Sequence, residues 1–190
     1  TGKALFCKAL GMGNYTKKET AVLNFKSFLV AAACALLFVI GKAEQLISIS
    51  SFSLTLSVIF GFVVALTQIM QAKAMGTGAT SIVSLIYSCG FLIPIFYGLA
   101  FLNEGVSAFQ WLGIAVLIVA LYLIVYKGGV KSKTLIWLPF AVIAMIGSGT
   151  NAVFQKIHQL SEHKDELFVF VVYALVFSAV FTGIASLIIG

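Results

Sequence analysis

Charge is nearly missing from this chain: only 9% of its 190 residues are charged, and arginine is absent altogether. A soluble globular domain is about 25% charged, so that class is excluded. Disordered chains need few apolar groups, and a hydrophobic content of 61% excludes them as well. Only two prolines stand against seventeen glycines, a balance suited to long helices that touch through small residues. The three cysteines, Cys7, Cys34 and Cys89, have neither CxxC spacing nor a paired histidine, so no disulfide framework and no metal site is expected. No nucleophile has a neighbouring base, no glycine-rich phosphate loop exists, and no carboxylate pair lies inside an apolar run; neither an enzyme nor a cofactor is expected.

What is there is apolar length. A membrane-spanning helix needs about 20 mostly apolar residues, and six stretches qualify, at roughly 22–41, 52–75, 79–102, 107–126, 134–156 and 167–190. The links between them are short and rich in glycine: Gly41-Lys42-Ala43-Glu44, Gly76-Thr77-Gly78, Asn103-Glu104-Gly105 and Lys127-Gly128-Gly129. They predict an all-α polytopic bundle in which consecutive helices are antiparallel neighbours. Tyr122, Tyr126, Trp111 and Trp137 near helix ends fit an aromatic belt. The expected location is the cell membrane, with multiple passes. Small residues at Gly61 and Ala65, at Gly90, Pro94 and Gly98, and at Ala144 and Ser148 predict close helix contacts.

Basic groups exceed acidic ones by twelve to six. The lysines lie between apolar runs, where they meet lipid headgroups and set topology rather than bind nucleic acid. Nine of them (Lys3, Lys8, Lys17, Lys18, Lys26, Lys73, Lys127, Lys131 and Lys133) fall on one side of the alternating spans, and Lys42, Lys156 and Lys164 on the other. That bias places the 127–133 loop in the cytoplasm.

Residues 5–25 and 153–170 echo one another. Phe6 and Lys8 answer Phe154 and Lys156, and Glu19 and Phe25 answer Glu166 and Phe170. A repeat at that spacing is about 145–148 residues long and holds five helices. An odd number of spans inverts the second copy, which is the architecture of many secondary transporters. Thr1 is not an initiator methionine and Gly190 falls inside an apolar run, so a piece of a longer protein is expected.

The stretch Phe101-Leu102-Asn103-Glu104-Gly105-Val106-Ser107-Ala108-Phe109-Gln110-Trp111-Leu112-Gly113-Ile114 resembles the signature of EamA-like transporters, in the drug/metabolite transporter superfamily. There a helix ends in an apolar-x-Glu, followed by a Ser or Pro turn and by Gln-x-x-Gly opening the next helix. Pro94 matches a mid-helix proline of that family, and Ala72-Lys73-Ala74 resembles its exit from the third span. The resemblance implies ten helices in two inverted repeats of five. Residues 1–127 then form a first repeat lacking most of its first helix, and 128–190 the first two helices of a second. It implies a transporter of small organic metabolites or drugs by alternating access. The usual family topology puts the 127–133 loop outside, opposite to the lysine bias.

Uncharged polar groups at midspan need a partner or a water-filled cavity. Those groups are Thr67, Gln68 and Gln71, then Ser84, Tyr87 and Ser88, then Ser148, Thr150, Asn151 and Gln155. Ser84, Tyr87 and Ser88 share one helix face, as do Asn151 and Gln155. Gln68, Ser84, Tyr87, Ser88, Asn151 and Gln155 are the expected substrate-cavity residues, with Pro94, Glu104 and Gly113 as structural motif residues. Glu104 reads as a helix-end cap and Gly113 as a packing position. His158 and His163 read as part of a solvated hairpin. No carboxylate lies within a visible span, so a facilitative exchanger is expected. The alternative is a channel, or a structural bundle without a transport cycle. Substrate identity, coupling ion and oligomeric state stay open at this level.

Overall fold

The computed structural model describes residues 26, 29, 30, 33, 49–105, 107–127 and 136–188. Nearly all of the expected 22–41 span, the 5–25 copy of the repeat and the 128–133 loop lie outside them. Every regular element among the described residues is helical. They are α1 (Ser51–Thr77), α2 (Thr80–Ser88), α3 (Leu92–Phe101), α4 (Ala108–Lys127), α5 (Trp137–Leu160) and α6 (Leu167–Ile188).

Four segments are long and apolar enough to cross a membrane: Ser51–Thr77, Thr80–Phe101, Trp137–Leu160 and Lys164–Ala185. Even the shorter ones, at 22 residues, reach about 33 Å at about 1.5 Å per residue, against a hydrocarbon core of about 30 Å. A further apolar stretch, Ala108–Ala120, lies in α4.

Thr80–Phe101 is one span made of two helices. A 3-10 turn at Cys89–Phe91 joins α2 to α3, and Pro94 explains it. Proline has no N–H to give the carbonyl four residues back, and its ring crowds that carbonyl. The carbonyl belongs to Gly90, and the turn preceding the proline tightens instead.

The chain divides into two compact units, each drawing on both sides of residue 127. The described residues of the first lie in 70–127 and 136–153, those of the second at 26, 29, 30 and 33 and in 49–69 and 154–188.

In the first unit, the end of α1 packs on α2 and the start of α5. Ala74, Met75, Ile82, Val83, Trp137 and Ala141 form its buried cluster. Trp137 is 3% exposed, so it belongs to this core and not to an aromatic belt. Its indole lies over Gly78, where an added Cβ would come within 2.6 Å of the ring. Trp111 and Tyr122, by contrast, are exposed as expected. Further along, Gly90 meets Gly149: a Cβ on Gly90 would stand 2.7 Å from the Met145 carbonyl oxygen. One on Gly149 would stand 2.6 Å from the Gly90 carbonyl oxygen. Residue numbers rise together along this contact, so α3 and α5 run parallel.

The second unit pairs α1 with α6. Ser53, Ser57, Gly61 and Ala65 recur every four residues on α1, and Phe170, Ala174, Ser178 and Thr182 do so on α6; all are buried. This is a small-xxx-small interface, in which absent side chains let backbones approach. A Cβ on Gly61 would lie 2.9 Å from the Ala174 carbonyl oxygen. Each helix also sends a serine across. The Ser57 hydroxyl lies 3.1 Å from the Phe170 carbonyl, and the Ser178 hydroxyl 3.1 Å from the Gly61 carbonyl. The Phe60 and Phe170 rings meet edge-on at 5.4 Å. Here too the numbers rise together, so α1 and α6 are parallel.

The unit buries several hydroxyls among its apolar side chains and exposes other apolar side chains. Ser53, Ser57, Ser178 and Thr182 are fully buried, while Phe62, Leu66, Val180 and Ile184 are exposed. In water that arrangement wastes the hydrophobic effect; in lipid it costs nothing.

Gly61→Ala and Gly149→Ala each force backbone to move, and should destabilise the chain by about 1–3 kcal/mol. Gly113 has nothing within 4 Å of an added Cβ, so Gly113→Ala should be neutral or stabilising by up to about 1 kcal/mol. Thermal unfolding of the three variants in detergent checks the contrast.

Candidate functional site

The candidate cavity residues divide between the two units. Ser84, Tyr87, Ser88 and Asn151 belong to the first, Gln68 and Gln155 to the second. Asn151 and Gln155 share α5 and one helical face, yet the helix passes from one unit to the other between them.

On α2, Ser88 is exposed and its hydroxyl donates to the Ser84 carbonyl, 2.9 Å away. That is the self-satisfied state open to serine in any helix. Thr67 and Thr150 do the same, donating to Val63 and Ile146. Tyr87 is half-buried. Four buried oxygens in this first unit behave differently. Gln71 Oε1, Thr80 Oγ1, Ser84 Oγ and Asn151 Oδ1 have no hydrogen-bond partner among the described residues. Thr80 and Ser84 are one turn apart on α2, so they share a face.

The Gly90–Gly149 contact sets the register of these groups. Asn151 lies two residues beyond it on α5, and Ser84 six residues before it on the parallel α2. At about 1.5 Å per residue they are separated by roughly 12 Å along the helices. They therefore stand at different levels along the helices and not as two sides of one small pocket.

Gln71, grouped above with the midspan polar residues, is a stronger candidate than Gln68. It is 3% exposed with an open carbonyl oxygen, whereas Gln68 is half-buried and Gln155 exposed. Gln68 and Gln71 lie almost one turn apart, and spacing alone does not rank them.

The motif residues have a structural explanation. α3 ends at Phe101, and Asn103 takes a left-handed conformation, φ 49°. Asparagine tolerates that region better than most residues. The reversal lets the Glu104 N–H donate to the Gly98 carbonyl at 3.1 Å. α4 then opens with a capping box: the Ser107 N–H donates to Gln110 Oε1 at 2.7 Å, and the Gln110 N–H to Ser107 Oγ at 3.3 Å. Ser, two intervening residues and Gln are thus the spacing needed to start a helix. Glu104 is exposed at this helix end. Pro94 is half-buried beside the 3-10 turn. Gly113 faces open space, so it makes no close packing among the described residues.

The histidine pair needs correction. His163 is part-exposed in the α5–α6 hairpin, but His158 sits in the last turn of α5 and is wholly buried. Its ring stacks on Phe170, with centroids 4.5 Å apart, and lies 6.4 Å from Phe52. Nε2 is 3.0 Å from Ser53 Oγ, while Nδ1 is buried without a partner. From Ser53 the polar contacts continue. Ser53 Oγ lies 3.0 Å from Ser50 Oγ, and the Ser50 hydroxyl donates to Glu166 Oε2 at 2.8 Å. Glu166 Oε1 is 3.9 Å from His163 Nδ1. Composition could not reveal this, because the partners come from α1, more than a hundred residues away.

Comparison of the chain with protein-family models, with curated proteins and with solved structures finds no match in any of the three. The class that the fold defines is a helical protein with four segments long and apolar enough to cross a membrane.

Removing either half of the capping box tests the motif's role. Ser107→Ala should lower stability by about 0.5–2 kcal/mol, and Ser107→Asp, which keeps a capping oxygen, should restore most of it. Chemical denaturation in detergent measures both.

Proposed function

We propose that the chain is part of a multi-pass cell-membrane transporter that moves small organic metabolites or drugs by alternating access. Its architecture in this reading is the ten-helix, 5+5 inverted repeat of EamA-like carriers. One observation carries the reading: the open oxygens of Gln71, Thr80, Ser84 and Asn151 inside membrane-length helices. An unmet polar atom in an apolar setting costs free energy, about 1–3 kcal/mol. A chain that satisfies its other hydroxyls locally keeps such atoms for a ligand or for water. Two of the four, Gln71 Oε1 and Asn151 Oδ1, are amide oxygens that can only accept hydrogen bonds. Solutes bearing N–H or O–H donors are the matching class.

Counterflow separates this reading from a channel or an assembly bundle. Full-length protein in liposomes is preloaded in turn with unlabelled amino acids, nucleosides, sugar phosphates and cationic drugs. Trace labelled solute is then added outside. A carrier produces transient uphill accumulation for at least one class; a channel or structural bundle produces none with any. Asn151→Leu replaces an unmet carbonyl by an apolar group. It should leave the unfolding temperature unchanged or higher while slowing counterflow by about tenfold. A loss of stability in that variant would assign Asn151 to packing.

A further inference from the structure

Elsewhere in the second unit, a buried histidine is joined to a part-exposed carboxylate by two serine hydroxyls, and nothing in the transport reading uses them. We propose that His158, Ser53, Ser50 and Glu166 form a proton relay, with Nδ1 of His158 as its inner proton-binding atom. The side chains of Glu166 and His163, 23% and 41% exposed, form its outer end.

One polarity of the relay is consistent with the hydrogen bonds, which bring both Ser50 and Ser53 to the Glu166 carboxylate. Ser50 Oγ accepts the Ser53 N–H at 3.2 Å, as an N-terminal cap of α1, and donates its one proton to Glu166 Oε2. Glu166 Oε2 also accepts the Ser50 N–H at 3.2 Å. The 3.0 Å Ser50–Ser53 contact suits either hydroxyl as donor; in the relay the Ser50 proton goes to the carboxylate and the Ser53 hydroxyl donates to Ser50. The Ser53 oxygen must then accept from His158, so Nε2 carries the ring proton and Nδ1 is bare. Each hydroxyl gives one proton, Ser53 receives one and Ser50 receives two, and one ring nitrogen is left without a partner. That nitrogen is Nδ1, buried and unpartnered.

A hydronium ion that reaches Nδ1 gives up one proton, leaving water, and makes an imidazolium between Phe52 and Phe170. The titratable groups acting on the ring are Glu166 and His163, both at the hairpin end. The Nε2–H bond breaks as the Ser53 oxygen takes that proton. Ser53 passes its own to Ser50 Oγ, and Ser50 passes its own to Glu166 Oε2. Imidazolium and carboxylate become neutral imidazole and carboxylic acid, so atoms and charge balance with hydronium as the one proton donor. Both hydroxyls now point the other way, and the ring carries its proton on Nδ1. From Glu166 the proton leaves to water or to His163. In the transporter reading this makes the proton the coupling ion in place of a purely facilitative cycle, and that last step rests on that reading.

The test is tautomer spectroscopy on the full chain in phosphatidylcholine vesicles. The protein carries 15N-histidine and 13C-carboxyl glutamate, in a His163→Gln background so that only one ring reports. At alkaline pH the expected state is protonated Nε2 and bare Nδ1. On acidification the two nitrogens should exchange roles while the Glu166 carboxyl signal moves to its acid position at the same pH. Ser53→Ala should abolish the exchange and Ser53→Thr should retain it. Two protonated nitrogens beside an ionised carboxylate would overturn the relay, as would an exchange that survives Ser53→Ala. If Ser53→Ala fails to fold, the parent signal alone decides, since either outcome at Nε2 is diagnostic. Counterflow is measured separately, so positive counterflow with no tautomer exchange sinks the relay and leaves the transporter standing.

Discussion

In a chain with so little charge and so much apolar surface, each polar group inside a helix must be satisfied by the chain itself. The backbone meets that demand through helical hydrogen bonds, and most hydroxyls meet it by donating to their own helix. Thr55, Thr67, Thr77, Ser88, Thr150 and Thr182 all reach the carbonyl four residues back. Once these are accounted for, the residues that stand out are few. They are the open oxygens on α1, α2 and α5, and the relay that starts at His158.

The same constraint governs packing. Helices surrounded by lipid gain little from burying leucine, so contact has to come from close backbone approach. The chain achieves it at Gly61 against α6, and at Gly90 against Gly149. Both contacts join parallel helices that are not consecutive in the chain. Short loops predicted antiparallel neighbours, yet loop length constrains only which helices follow one another. Which pair comes closest is decided by where the glycines and small hydroxyl residues fall. Pro94 links the two effects, since the tightened turn before it lies at Gly90, where α5 makes its closest approach.

Much of the fold was legible from run length: the described helices match the expected spans from 52 onward to within a few residues. The 3-10 turn was half legible, as Pro94 announced a disturbance without its form. The Ser107–Gln110 motif was visible for a physical reason, because a capping box is a purely local device whose partners are three residues apart. The surroundings of the candidate residues were less legible. Spacing does not tell that Gln71 is more buried than Gln68, or that Trp137 lies in a packed core. Helical periodicity groups residues on a face without saying what that face meets.

Composition and apolar run length alone decide that this is a helical chain suited to an apolar solvent. Those properties are sums and local spacings, and they need no partner. Tertiary structure alone decides which polar atoms stay open and which are joined. His158 shows why. Its place in the sequence, beside glutamine, serine and glutamate, describes a wet hairpin. Its place in the fold, stacked on Phe170 and 3.0 Å from Ser53, is dry. Burial is a property of the surroundings, and here the surroundings are supplied by residues from distant parts of the chain.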